Sequence, residues 1–329
     1  MKNNTIKKIL AIILAVSMII SFASCSEKDD DTINIAIVKQ MDHPSLDEIA
    51  NSVASRLDKI SEETGKAIEY EIYSGQGDQS ILKQIGDTAI ADNVDAIIPV
   101  ATTAAQIMTV CAEETKTPVI FAAVSDPAGA DLTGIDYVTG TSDALNTEFI
   151  MDMMFAQNPD IKSVGLLYSL SEPNSEMPIK DAKAYLTKKG ISFTEATANT
   201  NDEVIAAASV LASNDSDVIF TPTDNIIMSA ELAIMDILIE NDIPHYTGAD
   251  SFVRSGAFTT CGVNYTDLGT DTADLAYKAV TEGFGNLEDY YKVDGGIITV
   301  NTETAAALGI DYSVFESMGT IVEVTTTEE

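Results

Sequence analysis

The 329-residue sequence has no tryptophan, only two histidines (His43 and His245) and only three cysteines (Cys25, Cys111 and Cys261). Basic residues are scarce as well: 18 Lys plus Arg stand against 52 Asp plus Glu, a formal net charge of −34. A surface of that sign repels phosphate backbones, so nucleic acid is excluded as a partner, and the carboxylates are read chiefly as a solvated surface. The two histidines do not form a metal spacing, and neither HExxH nor CxxC occurs, so no metal or other cofactor is expected. GQGDQS (75–80) lacks the GK[ST] of a phosphate loop and does not sit at the first strand-helix turn. It is read as a turn before a helix, with Asp78 or Ser80 near the cap. No GxSxG elbow and no Ser–His–Asp set is present, so the chain is not expected to be an enzyme. Cys111 and Cys261 have no framework spacing and read as small buried apolar residues, with nothing arguing for a bond between them.

What is present is ample material for a core, 45% apolar residues in a length that suits two domains. The one long apolar run is at the start. MKNNTIKK carries Lys2, Lys7 and Lys8, then ILAIILAVSMIISFA is followed by small residues and Cys25. Residues 1–25 therefore read as a secretory signal. Phe22-Ala23-Ser24-Cys25 resembles a bacterial lipobox, which implies lipidation of Cys25 and attachment to the membrane through that lipid. Residues 26–32 are charged and unpatterned, as a tether should be.

From residue 33 onward short apolar runs alternate with amphipathic stretches. INIAIV (33–38), AIEYEIYS, VDAIIPVA (94–101) and PVIFAAV (118–124) read as strands, with helices between them. Leu46, Ile49, Val53, Leu57 and Ile60 mark one helix face, and Gly65 a stop. The second half repeats the first. SVGLLYSLSEPNSE, a helix at 180–190, ISFTEATA, EVIAAASVLASND, SDVIFTPTDN (216–225), another helix and IPHYTGADS (243–251) follow in the same register. Strands separated by such helices form parallel sheets, so the fold class is α/β, with two similar lobes each built on a parallel sheet flanked by helices. Ligands of parallel sheets lie beyond the carboxyl ends of the strands. That selects loops 39–46, 101–104 and 124–128 in one half and 168–175, 223–226 and 249–253 in the other. Segments 137–143 and 259–265 are read as the hinge crossings, and Thr266 or Asp267 as the cap of the helix that follows.

IVKQMDHPSLD, YSGQGDQS, PVATTAAQ, FAAVSDPAGA, LYSLSEPNS, TPTDN, GVNYTDLG and ITVNTETAAALGID resemble, in that order, motifs of the ABC-transporter substrate-binding lipoproteins of the tryptophan/tyrosine-binding type. The resemblance spans residues 33 to 312. It implies the type I periplasmic-binding architecture, with lobes of 33–139 plus 264–290 and 140–263 plus 291–329. It further implies capture of a small solute, an aromatic amino acid foremost, outside the cytoplasm. Delivery would be to a permease driven by a separate ATPase. Each lobe must move freely, so a monomer is expected.

With an amino acid as trial ligand, each loop residue acquires a role. Thr102, Thr103 and Ser125 are candidates for the carboxylate, at helix starts where free N–H groups also point; capping explains the same hydroxyls equally well. Asp250 and Asp224 are candidates for the ammonium group, Asp250 because it looks like the amine-holding position of related amino-acid-binding proteins. For Asp224, a helix cap is the stronger competing role. Asn174, Ser175 and Asn225 complete a polar ring, while Glu172 serves equally well as a solvated loop carboxylate. Tyr168, Phe252 and Pro44 are candidates for the apolar wall, Tyr265 for its hinge side and His43 for a ligand contact; Phe121, mid-strand, belongs to the core. Pro44 and Pro173 also suit the first turn of a helix. On sequence alone a nucleoside, a sugar or another small solute stays open, as does sensing in place of transport. A sugar ring is usually stacked on tryptophan, which this chain lacks.

Overall fold

The computed structural model describes residues 32–293 and 295–327; Cys25 and the signal segment lie outside them. The first half lays down β1 (Ile33–Lys39), α1 (Pro44–Thr64), β2 (Ile68–Ser74), α2 (Gln79–Ala91), β3 (Ala96–Val100), α3 (Thr102–Cys111), β4 (Val119–Phe121) and β5 (Val138–Ser142). The second lays down α4 (Thr147–Gln157), β6 (Ser163–Tyr168), α5 (Pro173–Lys189), β7 (Ser192–Thr197), α6 (Asn201–Ser213), β8 (Val218–Thr221), α7 (Asn225–Met228), α8 (Glu231–Glu240), β9 (His245–Thr247), α9 (Asp250–Arg254) and β10 (Thr259–Val263). The chain then returns through α10 (Tyr265–Glu282) and β11 (Tyr291–Lys292) to β12 (Gly295–Asn301), α11 (Thr302–Ala307) and β13 (Thr320–Val324).

Two sheets result, ordered β2-β1-β3-β4-β5-β11 and β7-β6-β8-β9-β10-β12-β13. Up to the fifth strand the order is the same in both, so the repeat in sequence is a repeat in topology. Each sheet reverses its strand order beside its first strand, and the loops leaving β1 and β3, or β6 and β8, open a crevice there. The expected face of α1 is buried (Leu46, Ile49, Val53, Leu57 and Ile60), and Gly65 ends that helix at φ 72°. Asp78 caps α2 by accepting from the Ser80 and Ile81 N–H groups, as the turn reading of GQGDQS required. Helix α10 packs on α1 so closely that a Cβ on Gly269 would lie 2.7 Å from the Ile49 carbonyl oxygen.

Five details differ from the sequence reading. The second sheet is not wholly parallel: β12 runs antiparallel to β10, because the chain re-enters that lobe from the hinge side, pairing Gly295 with Val263. Most of 137–143 and 259–265 is strand, β5 and β10, consistent with their β-branched content, and the first two crossings shrink to the few residues after each. The sheets therefore divide the chain elsewhere than at 139/140 and 290/291: β5 lies whole in the first sheet, and β11 joins it by pairing Tyr291 with Thr141. Asn264, not Thr266 or Asp267, caps α10, its side chain accepting from the Asp267 N–H. Helix α5 starts at Pro173 rather than at residue 180, with proline in the first turn, where its missing N–H costs nothing. Cys111 and Cys261 are free thiols on different lobes.

Candidate ligand-binding site

The strand ends of the two lobes confront each other around a small cavity. From the first lobe its wall takes His43, Ser45, Leu46, Ile49, Ala101, Thr102, Ala123, Ser125 and Tyr265, with Asp143 from the crossing. From the second come Asn174, Thr223, Asp224, Asn225, Met228, Ala249 and Phe252.

Thr102 opens α3, and the residue before it, Ala101, holds φ 81°. Ala123, at the end of the neighbouring strand, holds φ 55°. Left-handed conformations in residues with a side chain cost about 1–3 kcal/mol each and gather where a site demands them. Here they turn the chain so that the start of α3 faces the cavity. The Thr102 hydroxyl is buried there without a protein partner, beside N–H groups of the first turn that no helical carbonyl can reach.

Side chains meet directly across the cleft. Gln40 Nε2 donates to Glu172 Oε1 at 2.6 Å, and within the second lobe Asn225 Nδ2 donates to Glu172 Oε2 at 2.6 Å. Asn225 Oδ1 accepts from His43 Nε2 at 2.9 Å, which fixes the tautomer and leaves Nδ1 as a buried acceptor without a partner. Ser45 meets Ser251, and Ser125 Oγ lies 3.2 Å from Thr223 Oγ1. The lobes are thus closed on one another. Burial lowers the His43 pKa to about 4. Burial, then the nearby Asp224 charge, pushes Glu172 up to about 8. Neither group finds a counter-charge among these partners, so both are held neutral near pH 7.

Of the expected site residues, His43, Thr102, Ser125, Asn174, Asp224, Asn225, Phe252 and Tyr265 reach the cavity wall. Asp224 is there as a brace. Its Oδ1 accepts from the Ile226 and Ile227 N–H groups, and its Oδ2 accepts from the Ser169 N–H and the Ser175 hydroxyl. Those four donors hold loops of its own lobe and leave little for a ligand ammonium, even though burial raises its pKa. Ser175 is therefore a support for Asp224 and does not line the cavity. Thr103 is buried behind the wall.

Tyr168 misses the cavity because it reaches toward the neighbouring strand, its hydroxyl donating to Glu195 at 2.7 Å. Pro44 starts α1 and faces an outer groove beside Arg254 and Asn51. Asp250 lies in the first turn of α9, off the cavity wall, with Oδ2 accepting from Arg254 at 3.1 Å and Oδ1 buried without a partner. Phe252 does reach the wall, with His245 edge-on at 6.3 Å; His245 is itself fixed by Glu231 and Thr221. Phe121 is fully buried core.

Sequence reasoning missed Asp143, Gln40, Thr223 and the burial of Glu172. Glu172 offered a signal, since it directly precedes a proline at a strand-end loop where a helix starts. Asp143 offered none: it reaches the cavity only because the crossing folds back between Ser125 and Tyr265.

Two sheets of like order, hinged so that their strand ends close on a small cavity, define a two-lobed binding protein of the type I periplasmic class. Residues 34–316 match the family model described as ABC transporter substrate binding protein, and the chain belongs to that family. Its members bind a small ligand outside the cytoplasm and work with a membrane permease. Among the described residues no helix is long and apolar enough to cross a membrane. The chain is 29% identical over 323 residues, 92% of each chain, to a tyrosine-binding protein of Clostridioides difficile (strain R20291). It superposes with a TM-score of 0.81 on an ABC domain from Streptococcus pneumonia in complex with L-Trp (27% identity, 88% of this chain and 100% of that one). With the ligand-free, open structure of a substrate-binding protein with adhesive properties from Clostridium difficile the TM-score is 0.67 (28% identity, 90% and 100%). Identity and coverage are nearly equal in these two structures, so the gap in TM-score fits the closed arrangement of the lobes seen here.

Proposed function

We propose that the protein captures an aromatic amino acid between its lobes and presents it, enclosed, to the permease. The observation that carries this reading is the make-up of the cavity. One side offers the buried, unpartnered Thr102 hydroxyl and the start of α3, a place for a carboxylate; other parts are apolar, with Phe252, Met228, Leu46 and Ile49. The tyrosine- and tryptophan-binding relatives support the same ligand class. Closure would replace water around the ligand with contacts from both lobes, so the permease meets a different surface when the site is filled. The chain has no tryptophan, so emission from added tryptophan reports its own transfer from water. Titration calorimetry with L-tyrosine, L-tryptophan and L-phenylalanine should give saturable heat with at least one. Silence from all three sinks the aromatic reading.

Cys25 is read as the lipidated residue that holds the protein at the extracytoplasmic face of the membrane, and the protein acts as a monomer without catalysing a reaction. Cys25→Ala should then release the protein from the membrane fraction. Retention of the variant in that fraction would show that another segment anchors it. Sedimentation at the mass of one chain is the check on the monomer.

A further inference from the structure

We propose that Asp143 holds the ammonium group of the ligand and makes the site select amino acids over their des-amino analogues. This deepens the reading above and rests on it. Asp143 follows β5 at the first crossing, is 5% exposed and lines the cavity. Its Oδ1 accepts from the Ser125 hydroxyl at 2.8 Å and its Oδ2 from the Tyr265 hydroxyl at 3.2 Å. Two neutral donors occupy about half of the roughly four acceptor positions of an ionised carboxylate. No Lys, Arg or His among the described residues forms an ion pair with it. A buried carboxylate without a cation is costly, and a ligand ammonium in the cavity would offset that cost.

The other acids near the cavity are either saturated or off its wall. Asp224 is surrounded by four donors, Glu172 is bonded to Gln40 and Asn225 away from the wall, and Asp250 lies off the wall with Oδ2 on Arg254, although its Oδ1 has no partner. Asp143 is the remaining acid on the wall, with lone pairs to spare. Burial raises its pKa, which a cation alongside would reverse. Ser125 changes role as a consequence. Its proton is given to Asp143, and the hydroxyl in turn accepts from Thr223 of the other lobe, so it is a positioning residue rather than a carboxylate ligand. Tyr265 positions the second oxygen and, from the start of α10, ties the second crossing to the first. The acid that receives the amine therefore sits at the hinge itself.

The test compares L-tyrosine with 3-(4-hydroxyphenyl)propanoate, which keeps the ring and carboxylate and lacks the amine. The wild-type protein should prefer tyrosine by about 100-fold or more by calorimetry. Asp143→Asn should weaken tyrosine binding by about 10- to 100-fold, as expected for a lost charge-assisted bond, and leave the des-amino compound unchanged or tighter. Equal wild-type affinities overturn the proposal, and so does an Asn variant that keeps its tyrosine affinity within about threefold or loses both ligands alike. Should the variant fail to melt cooperatively, the wild-type preference alone decides. A wild-type protein that binds no aromatic amino acid overturns the functional reading and takes this inference with it. Tyrosine binding without the preference removes only the role of Asp143.

Discussion

Gly140→Ala is expected to lower the unfolding free energy by about 4 kcal/mol or more, the range reserved for substitutions that the structure cannot accommodate. Gly140 is the central residue of β5 and pairs with Phe121 of β4. A Cβ there would sit 2.2 Å from the Phe121 carbonyl oxygen and 2.3 Å from a carbon of its ring. The ring belongs to a fully buried side chain, and the oxygen is backbone, so neither can swing aside. Relief requires the two strands to part in a core packed without spare volume. Gly285 is the comparison, since a Cβ there meets nothing within 4 Å. Its alanine variant should stay within about 0.5 kcal/mol of the parent. Equilibrium urea unfolding measures both, and a Gly140→Ala variant as stable as Gly285→Ala would contradict the close strand packing.

Glu172→Gln should remove a fall in stability that the parent shows between about pH 6.5 and 8. The sign follows from two buried groups of the cross-cleft chain. Glu172 is raised from an ordinary value of 4.5 to about 8, chiefly by burial. Its contribution is therefore complete below 4.5 and is lost as pH rises through about 8. His43 is lowered from 6.5 to about 4, again chiefly by burial, so its contribution is present above 6.5 and lost as pH falls toward 4. Between 4.5 and 6.5 the two slopes oppose each other. Above 6.5 His43 no longer opposes it, and Glu172 contributes a loss of about 1–2 kcal/mol by pH 8.

Asp224 shares the raised direction, but its four donors favour the charged form, so the proton belongs to Glu172. A glutamine at 172 has no proton to lose. Its amide can still be satisfied, because the Gln40 carbonyl oxygen is buried without a partner and an amide rotation brings it round. Urea unfolding of parent and variant at pH 6.5 and 8 is the measurement. A parent fall that persists unchanged in Glu172→Gln would assign it to other groups.

Sequence pattern by itself determined the α/β class, the duplicated order of strands and helices, and the edge of each lobe that lines the cavity. The physical reason is that these depend on local quantities: β-branched runs, the spacing of Leu46 through Ile60, and the glycine at 65 that alone suits a left-handed stop. The loops were found for the same reason, since a parallel sheet has only one set of carboxyl ends. Which side chain in a loop faces the cavity is not a local quantity. Thr102 reaches it and Thr103 does not, because one helical step of about 100° separates them. Asp224 is by sequence a ligand candidate with a helix cap as the stronger competing role, and its four donors decide for the cap and brace. Glu172 is buried and accepts from Gln40 of the other lobe, a contact that sequence spacing does not reveal. Asp143 belongs to the site only because Ser125 and Tyr265, distant in sequence, meet it at the hinge. Burial and the pairing of charges across a cleft are made by closure of the lobes, and only the tertiary structure decides them.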